Sequence, residues 1–236
     1  MNRDRMTANV KALRLTHWTR LVPGLILTAW ILTSCSGDNQ QTAQKAGMNK
    51  DAQSAMAGDT LMLDTQASKL GWWAHKVTGE HHGTVDIARG YAVIKDGQLV
   101  GGQAIAQMNT ITDEDIESPE WNAKLVNHLK SDDFFMVEKF PEATLSLTKL
   151  AYGENDSITV TADLTIKGIT HPVTFPLIVN ENTNGTWHAQ GEVTVDRTLW
   201  DIRYRSGKFF PDIGDKLIYD DFKLNFDLQT LAKPVS

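Results

Sequence analysis

The chain has 236 residues, with 29 acidic against 23 basic side chains and a single cysteine. One cysteine cannot form an intramolecular disulfide, so the core has to hold the fold together. The acidic balance disfavours nucleic acid as a nonspecific partner, and we expect none.

The N-terminus has the pattern of an export signal. Its first 20 residues carry five basic side chains and one acid, and an apolar run follows at 21–32. Twelve residues of helix rise about 18 Å, short of the roughly 30 Å hydrocarbon core of a bilayer. The run is therefore typical of a secretory signal peptide and not of a transmembrane span.

The cysteine, Cys35, lies directly after this run. The stretch Leu32-Thr-Ser-Cys35 resembles the bacterial lipobox. The resemblance implies that residues 1–34 are removed as a lipoprotein signal peptide and that the acylated Cys35, carrying chains such as palmitate, anchors the protein to a membrane. The residue after it, Ser36, resembles that of enterobacterial lipoproteins sorted to the outer membrane, so we expect a periplasm-facing or surface lipoprotein there. The alternative is a free core cysteine.

Residues 35–59 form a polar stretch in which aromatic and β-branched aliphatic side chains are missing. Such a composition buries too little apolar surface to offset the entropy of ordering. The sequence therefore predicts an acylated N-terminus with a flexible tether at 35–59 and one folded domain at 60–232.

The folded domain shows a repeat of two. Apolar and polar side chains alternate at 158–167 and at 221–228, which places them on opposite faces of strands. Similar runs cover 68–77, 83–95, 99–110, 143–150, 171–179 and 186–196, with hairpin dipeptides at 96–97 and 184–185. With 61–65 counted as a short first strand, about eight or nine strands of this kind predict an all-β closed antiparallel barrel or a two-sheet sandwich, and the periodicity does not choose between them.

One helix is predicted at about 118–130. Ser118-Pro119-Glu120 is a helix start, and Trp121, Leu125 and Leu129 recur on one face. The helix either covers one end of the barrel, with Phe134 and Phe135 closing it, or only packs against the sheet.

Three stretches resemble the YceI family of bacterial exported proteins: 129–144, 163–176 and 196–207, the last followed by 218–222. The stretch Trp73-Ala-His-Lys-Val-Thr-Gly-Glu-His-His-Gly83 is similar to one branch of that family. The resemblance implies an eight-stranded antiparallel lipocalin-like barrel that binds, stores or transports a polyisoprenoid at the cell envelope. The expected partner is an isoprenoid quinone or a polyprenyl phosphate. The chain departs from the family's common pattern at 127–130 and 204–207, which leaves the ligand's identity open.

We expect the lumen to be lined by inward-facing apolar and small side chains. These are Trp73, Ala104, Ala106, Met108, Val160, Ala162, Leu164, Phe222, Leu224 and Phe226. Arg203 and Arg205 are candidates for contact with a phosphate head group, although alternation places them on one face and a solvated outer face is the usual place for such residues.

The sequence gives little indication of a metal site or of catalysis. His75, His81 and His82 lie near one strand, but their sequence shows no further ligand, so hydrogen-bonding histidines are favoured over a metal site. Nucleophile elbows, metal signatures and phosphate loops are missing from the sequence, and we expect neither a cofactor nor catalysis. An interaction module with a filled core and no lipid is the main alternative function, and an enzyme is the lesser one.

Overall fold

A computed structural model describes residues 58–153 and 157–233. The predicted signal peptide, Cys35 and almost all of the tether lie outside these residues. Within the described ranges, every helix falls short of the length and apolar character needed to cross a membrane.

The described residues form ten antiparallel strands in one sheet, with the order β1-β4-β5-β6-β7-β8-β9-β10-β2-β3. The strands are β1 (Asp59–Met62), β2 (Lys69–Lys76), β3 (Gly79–Val85), β4 (Ile87–Lys95), β5 (Gln98–Gln107), β6 (Glu142–Tyr152), β7 (Ser157–Ile166), β8 (Ile169–Glu181), β9 (Trp187–Asp196) and β10 (Ile218–Gln229). One α-helix, α1 (Pro119–Lys130), and short 3-10 helices at Met108–Thr110, Arg197–Trp200 and Gly214–Lys216 complete the described elements.

The sheet is curled, so that the C-terminal end of β1 meets the C-terminal end of β10. Leu63, directly after β1, forms an isolated antiparallel bridge with Thr230, directly after β10. The backbone N–H of Leu231 also donates to the carbonyl of Met62 at 2.8 Å. The all-β antiparallel architecture with one helix is therefore confirmed.

The predicted count of eight strands is wrong, because the structure has ten. β3 and β4 are separated by the single residue Asp86, whose N–H donates to the hydroxyl of Thr110 at 2.8 Å. β1 and β2 are separated by a turn in which Asp64 accepts hydrogen bonds from the N–H groups of Gln66 and Ala67. The run predicted at 83–95 is thus divided between β3 and β4, while β1 and β2 correspond to the separately predicted strands at 61–65 and 68–77.

The core lies inside the curl. On β7 every second residue from Ile158 to Ile166 is buried, and on β10 Phe222 and Phe226 are buried. Trp200 and Ile202, in the connection between β9 and β10, are 1% exposed. The alternation read from the sequence is therefore the division between the interior and the outer face of the sheet.

Helix α1 lies at 119–130, with Ser118 at its N-cap, as predicted. Leu129 is buried, but Trp121 is 58% exposed, and the ammonium of Lys124 lies 4.6 Å from the centre of its ring. The predicted apolar stripe is therefore confined to the second half of the helix, because the first turn extends beyond the sheet's apolar interior.

A carboxylate pairs with two side chains across β9 and β10. Asp227 accepts hydrogen bonds from Gln190 at 2.9 Å and His188 at 2.6 Å. These hydrogen bonds hold the pKa of the Asp227 carboxyl below its ordinary value.

Candidate functional site

The interior of the curled sheet contains an apolar cavity of about 140 Å³. A second cavity of about 70 Å³ adjoins it. The two share Ala104, Leu145, Phe226 and Leu228 in their walls. We call the two cavities together the lumen.

The larger cavity extends along most of β10. On β10 alone it contacts Ile218 at one end and Leu228 at the other, ten residues further on. At about 3.3 Å per residue, this corresponds to roughly 30 Å along the strand. A slender ligand fits such a space better than a compact one.

Small side chains leave this space open. Four alanines from three strands line the larger cavity, where larger apolar residues would fill it. They are Ala74 of β2, Ala104 and Ala106 of β5, and Ala143 of β6. The remaining wall is apolar except for Thr144, Arg197 and Tyr219.

One end of the larger cavity is formed by α1 and the chain that follows it. Leu129, Phe134 and Phe135 line the wall there. The imidazole of His128 packs edge-on against Phe134 and Tyr204, with ring centroids 5.0 and 4.6 Å away. The helix therefore contributes to the cavity wall.

Arg197 is the charged residue in the wall, and it is 4% exposed. Its guanidinium donates to the carbonyls of Ile202, Ile218 and Tyr219 at 2.9–3.0 Å. Burial lowers the pKa of Arg197, and the carboxylate of Asp220, 3.5 Å away, acts in the opposite direction. Arg197 therefore ties the connection before β10 to the start of that strand.

Most residues predicted for the lumen line the cavity in the structure. They are Ala104, Ala106, Met108, Leu164, Phe222, Leu224 and Phe226. Val160 and Ala162 are completely buried but do not line either cavity. They pack within the wall.

Trp73 lies away from the lumen, contrary to its predicted place. Its ring stacks on His82, with centroids 4.5 Å apart, while its neighbour Trp72 lines the cavity with Leu70 and Ala74. Successive side chains of a strand point to opposite faces, so only one of the two tryptophans can face inward. The alternation of Leu70, Trp72 and Ala74 is the sequence signal that could have identified Trp72 as the inward tryptophan.

Arg203 and Arg205 are exposed and lie outside the cavity wall. Arg203 pairs with Asp201 at 2.6 Å and covers the ring of Phe209, and Arg205 covers the ring of Tyr204. Their segment is a turn and not a strand, so the alternation assumed for it does not apply. The cation that reaches the lumen is Arg197, which sequence reasoning did not single out.

The three N-terminal histidines of the domain do not converge. His75 approaches Glu80 at 3.3 Å and His82 stacks on Trp73, while His81 contacts Asp115 at 2.8 Å. A second carboxyl, Asp113, lies beside this pair, and burial together with the negative charge of the neighbouring Asp115 raises the pKa of Asp113.

Comparison with known proteins identifies one family over the described domain. The model of the YceI-like domain matches residues 61–230. A UPF0312 protein of Shewanella denitrificans is 42% identical over 22% of this chain and 28% of its own length. A UPF0312 protein of Pseudomonas putida is 31% identical over 39% of this chain and 49% of its own length. The matched stretches thus span less than half of these relatives.

Two solved structures share the fold. BcnA of Burkholderia cenocepacia superposes with a TM-score of 0.58 at 19% identity, covering 72% of this chain and 99% of that one. A polyisoprenoid-binding domain from Saccharophagus degradans, implicated in plant cell wall breakdown, superposes with a TM-score of 0.55 at 16% identity. That match covers 73% of this chain and 98% of the other.

Proposed function

Because the chain belongs to the YceI-like family, we propose that its lumen binds one isoprenoid-type lipid, an isoprenoid quinone or a polyprenyl phosphate, and stores or transports it at the cell envelope. The observation that carries this proposal is the elongated cavity of about 140 Å³ with an almost wholly apolar wall. The polyisoprenoid-binding domain with the same fold supports it.

The wall favours a hydrocarbon chain for a physical reason. A ligand in the lumen meets alanine, leucine and phenylalanine side chains, which contribute contact area but few hydrogen bonds. Each CH₂ transferred from water to such a wall contributes about 0.8 kcal/mol, so one five-carbon isoprene unit contributes about 4 kcal/mol. A polar ligand of the same length would lose its hydrogen bonds to water without replacement.

Membrane anchorage through the acylated Cys35 is part of the same proposal. If residues 36–59 form the flexible tether expected from their composition, a coil of about 24 residues would reach roughly 25–30 Å and would keep the lumen close to the bilayer that supplies or receives the lipid. Ser36 supports sorting to the outer membrane. A mass spectrum of the mature protein from bacterial membranes is expected to show diacylglyceryl modification of Cys35, and loss of membrane association in Cys35→Ser.

Lipid extraction tests the binding itself. The matches cover 99% and 98% of the two solved chains, and a chain that starts at Ser36 keeps all of the YceI-like domain at 61–230, so it is a suitable sample. We expect that this chain, purified from bacteria without detergent and extracted with organic solvent, releases about one prenyl lipid per molecule by mass spectrometry. An extract without lipid would contradict the proposal and favour an interaction module.

A further inference from the structure

A cluster of one histidine and two aspartates lies beside β3, outside the two cavities of the lumen. The segment 111–116 runs beside β3, where the N–H of Thr112 donates to the carbonyl of Thr84 and that of Glu114 to the carbonyl of His82, both at 2.9 Å. A Cβ at Gly83 would fall 2.1 Å from the carbonyl oxygen of Thr112, so glycine permits this close approach. The pairing brings His81 opposite Asp113 and Asp115.

The carboxylates of Asp113 and Asp115 each accept hydrogen bonds from the protein through one oxygen, Oδ1. Oδ1 of Asp115 accepts from the N–H of His82 at 2.9 Å. Oδ1 of Asp113 accepts from the N–H of Ile116 at 3.0 Å and from the amide of Asn122 at 3.1 Å. The other oxygen of each carboxylate faces Nδ1 of His81, at 2.8 Å for Asp115 and 3.9 Å for Asp113.

The inward oxygen of Asp113 has no partner. Its side chain is 0% exposed, and Oδ2 makes no hydrogen bond within the part of the chain that is described. A buried carboxylate oxygen without a partner is costly, and such atoms are normally satisfied by a donor or a cation. The side chains of His81 and Asp115 are 23% and 24% exposed, which gives an ion a path to this oxygen.

We propose that Nδ1 of His81 and the Oδ2 atoms of Asp113 and Asp115 bind a divalent transition-metal ion of the Zn²⁺ class. These three atoms lie within 4.8 Å of one another. A tetrahedral Zn²⁺ with ligands at about 2.0–2.2 Å separates its ligands by about 3.3–3.6 Å, so small side-chain movements suffice. The two carboxylates balance the ion's charge, the bonds to their Oδ1 atoms orient them, and water completes the coordination.

Lys76 competes with the ion. Its ammonium lies 2.9 Å from Nε2 of His81, so without metal Nε2 accepts and Nδ1–H donates to Asp115. When the ion binds Nδ1, the imidazole proton moves to Nε2, and Lys76 loses its acceptor and turns toward solvent. Replacing Lys76 by methionine is therefore expected to strengthen metal binding.

Calorimetric titration of the full-length protein in detergent, purified without a polyhistidine tag and freed of metal with EDTA, tests the site. We expect one Zn²⁺ per chain, affinity reduced at least about 100-fold in Asp113→Asn and His81→Ala, and several-fold higher affinity in Lys76→Met. Asp113→Asn keeps the shape of the side chain, and a circular dichroism spectrum like that of the unmodified protein verifies its fold.

His188→Ala is the matched control, because His188 also pairs with an aspartate, Asp227, at 2.6 Å. Its Zn²⁺ affinity is expected to be unchanged. The proposal is overturned if the unmodified protein binds no Zn²⁺, or if Asp113→Asn binds it as tightly as the unmodified protein. It is also overturned if Mg²⁺ competes equally at the same concentration, since a site with an imidazole ligand prefers Zn²⁺.

Discussion

Replacing Ala104 by tryptophan tests the lumen at the place where its two cavities adjoin. Ala104 lies in the middle of β5, opposite Gly90 of β4 and Leu145 of β6, and it lines both cavities. An indole at this position points into the existing space and closes it to a chain that passes from one cavity to the other.

The expected loss follows from the hydrocarbon that is excluded. Each isoprene unit that can no longer enter the lumen forfeits about 4 kcal/mol relative to water, which weakens retention roughly 1000-fold. The domain itself is expected to lose at most about 1–3 kcal/mol in its free energy of unfolding, because the indole occupies open space.

The assay is the mass of prenyl lipid extracted per chain after detergent-free purification. Ala104→Trp is expected to carry less than about a tenth of the lipid of the unmodified chain. Ala151→Trp is the control, because Ala151 is exposed on β6 and the same substitution leaves the lumen unchanged. Equal lipid content in Ala104→Trp and the unmodified chain, with both folded, would refute the lumen as the binding site.

Three further predictions concern single charged residues. Arg197→Met is expected to lower the free energy of unfolding by about 3–5 kcal/mol in urea titrations, because it leaves one buried and two partly buried carbonyls without their donor and removes the buried cation beside Asp220; a loss below about 1 kcal/mol would contradict that role. In EDTA, Asp113→Asn is expected to raise the same free energy by about 1 kcal/mol, since the new amide can donate to Asp115; a clear loss of stability would show that the carboxylate is well satisfied without metal. The lowered pKa of Asp227 means that its contribution to stability is complete above the ordinary aspartate pKa of about 3.9 and is lost as the pH falls. The difference between the urea midpoints of Asp227→Asn and the unmodified chain is therefore expected to be largest at neutral pH and to shrink as the pH falls below the ordinary aspartate pKa, and a constant difference would exclude this linkage.

The class of fold could be predicted because a repeat of two persists through nearly every strand. The exact number of strands could not, because the break between β3 and β4 depends on a partner distant in sequence. The N–H of Asp86 bonds to the hydroxyl of Thr110. Nothing in the local pattern around Asp86 distinguishes this break from a continuous strand.

For the lumen, the sequence predicts which face of a strand points inward. Alternation identified the inner side of β7 and β10, but it cannot tell which inward residues meet the open space and which, like Val160 and Ala162, pack solidly in the wall. That distinction depends on the sizes of facing side chains across the curl. On β2, Trp73 was predicted to face inward, although the alternation of Leu70, Trp72 and Ala74 favours Trp72.

The carboxyl of Asp113 was out of reach of sequence reasoning, and its position bears on what the cluster is for. His81 suggested a metal ligand, but its partners lie more than 30 residues further on and are brought to it by the pairing of 111–116 with β3. A chain selected only for stability would gain by an amide at position 113, where Oδ1 already has its donors and Oδ2 has none. Departures from such rules, here a buried polar atom without a hydrogen-bond donor, occur chiefly at functional sites. The buried, unpartnered oxygen is therefore better explained by a cation that completes it than by the packing of the wall.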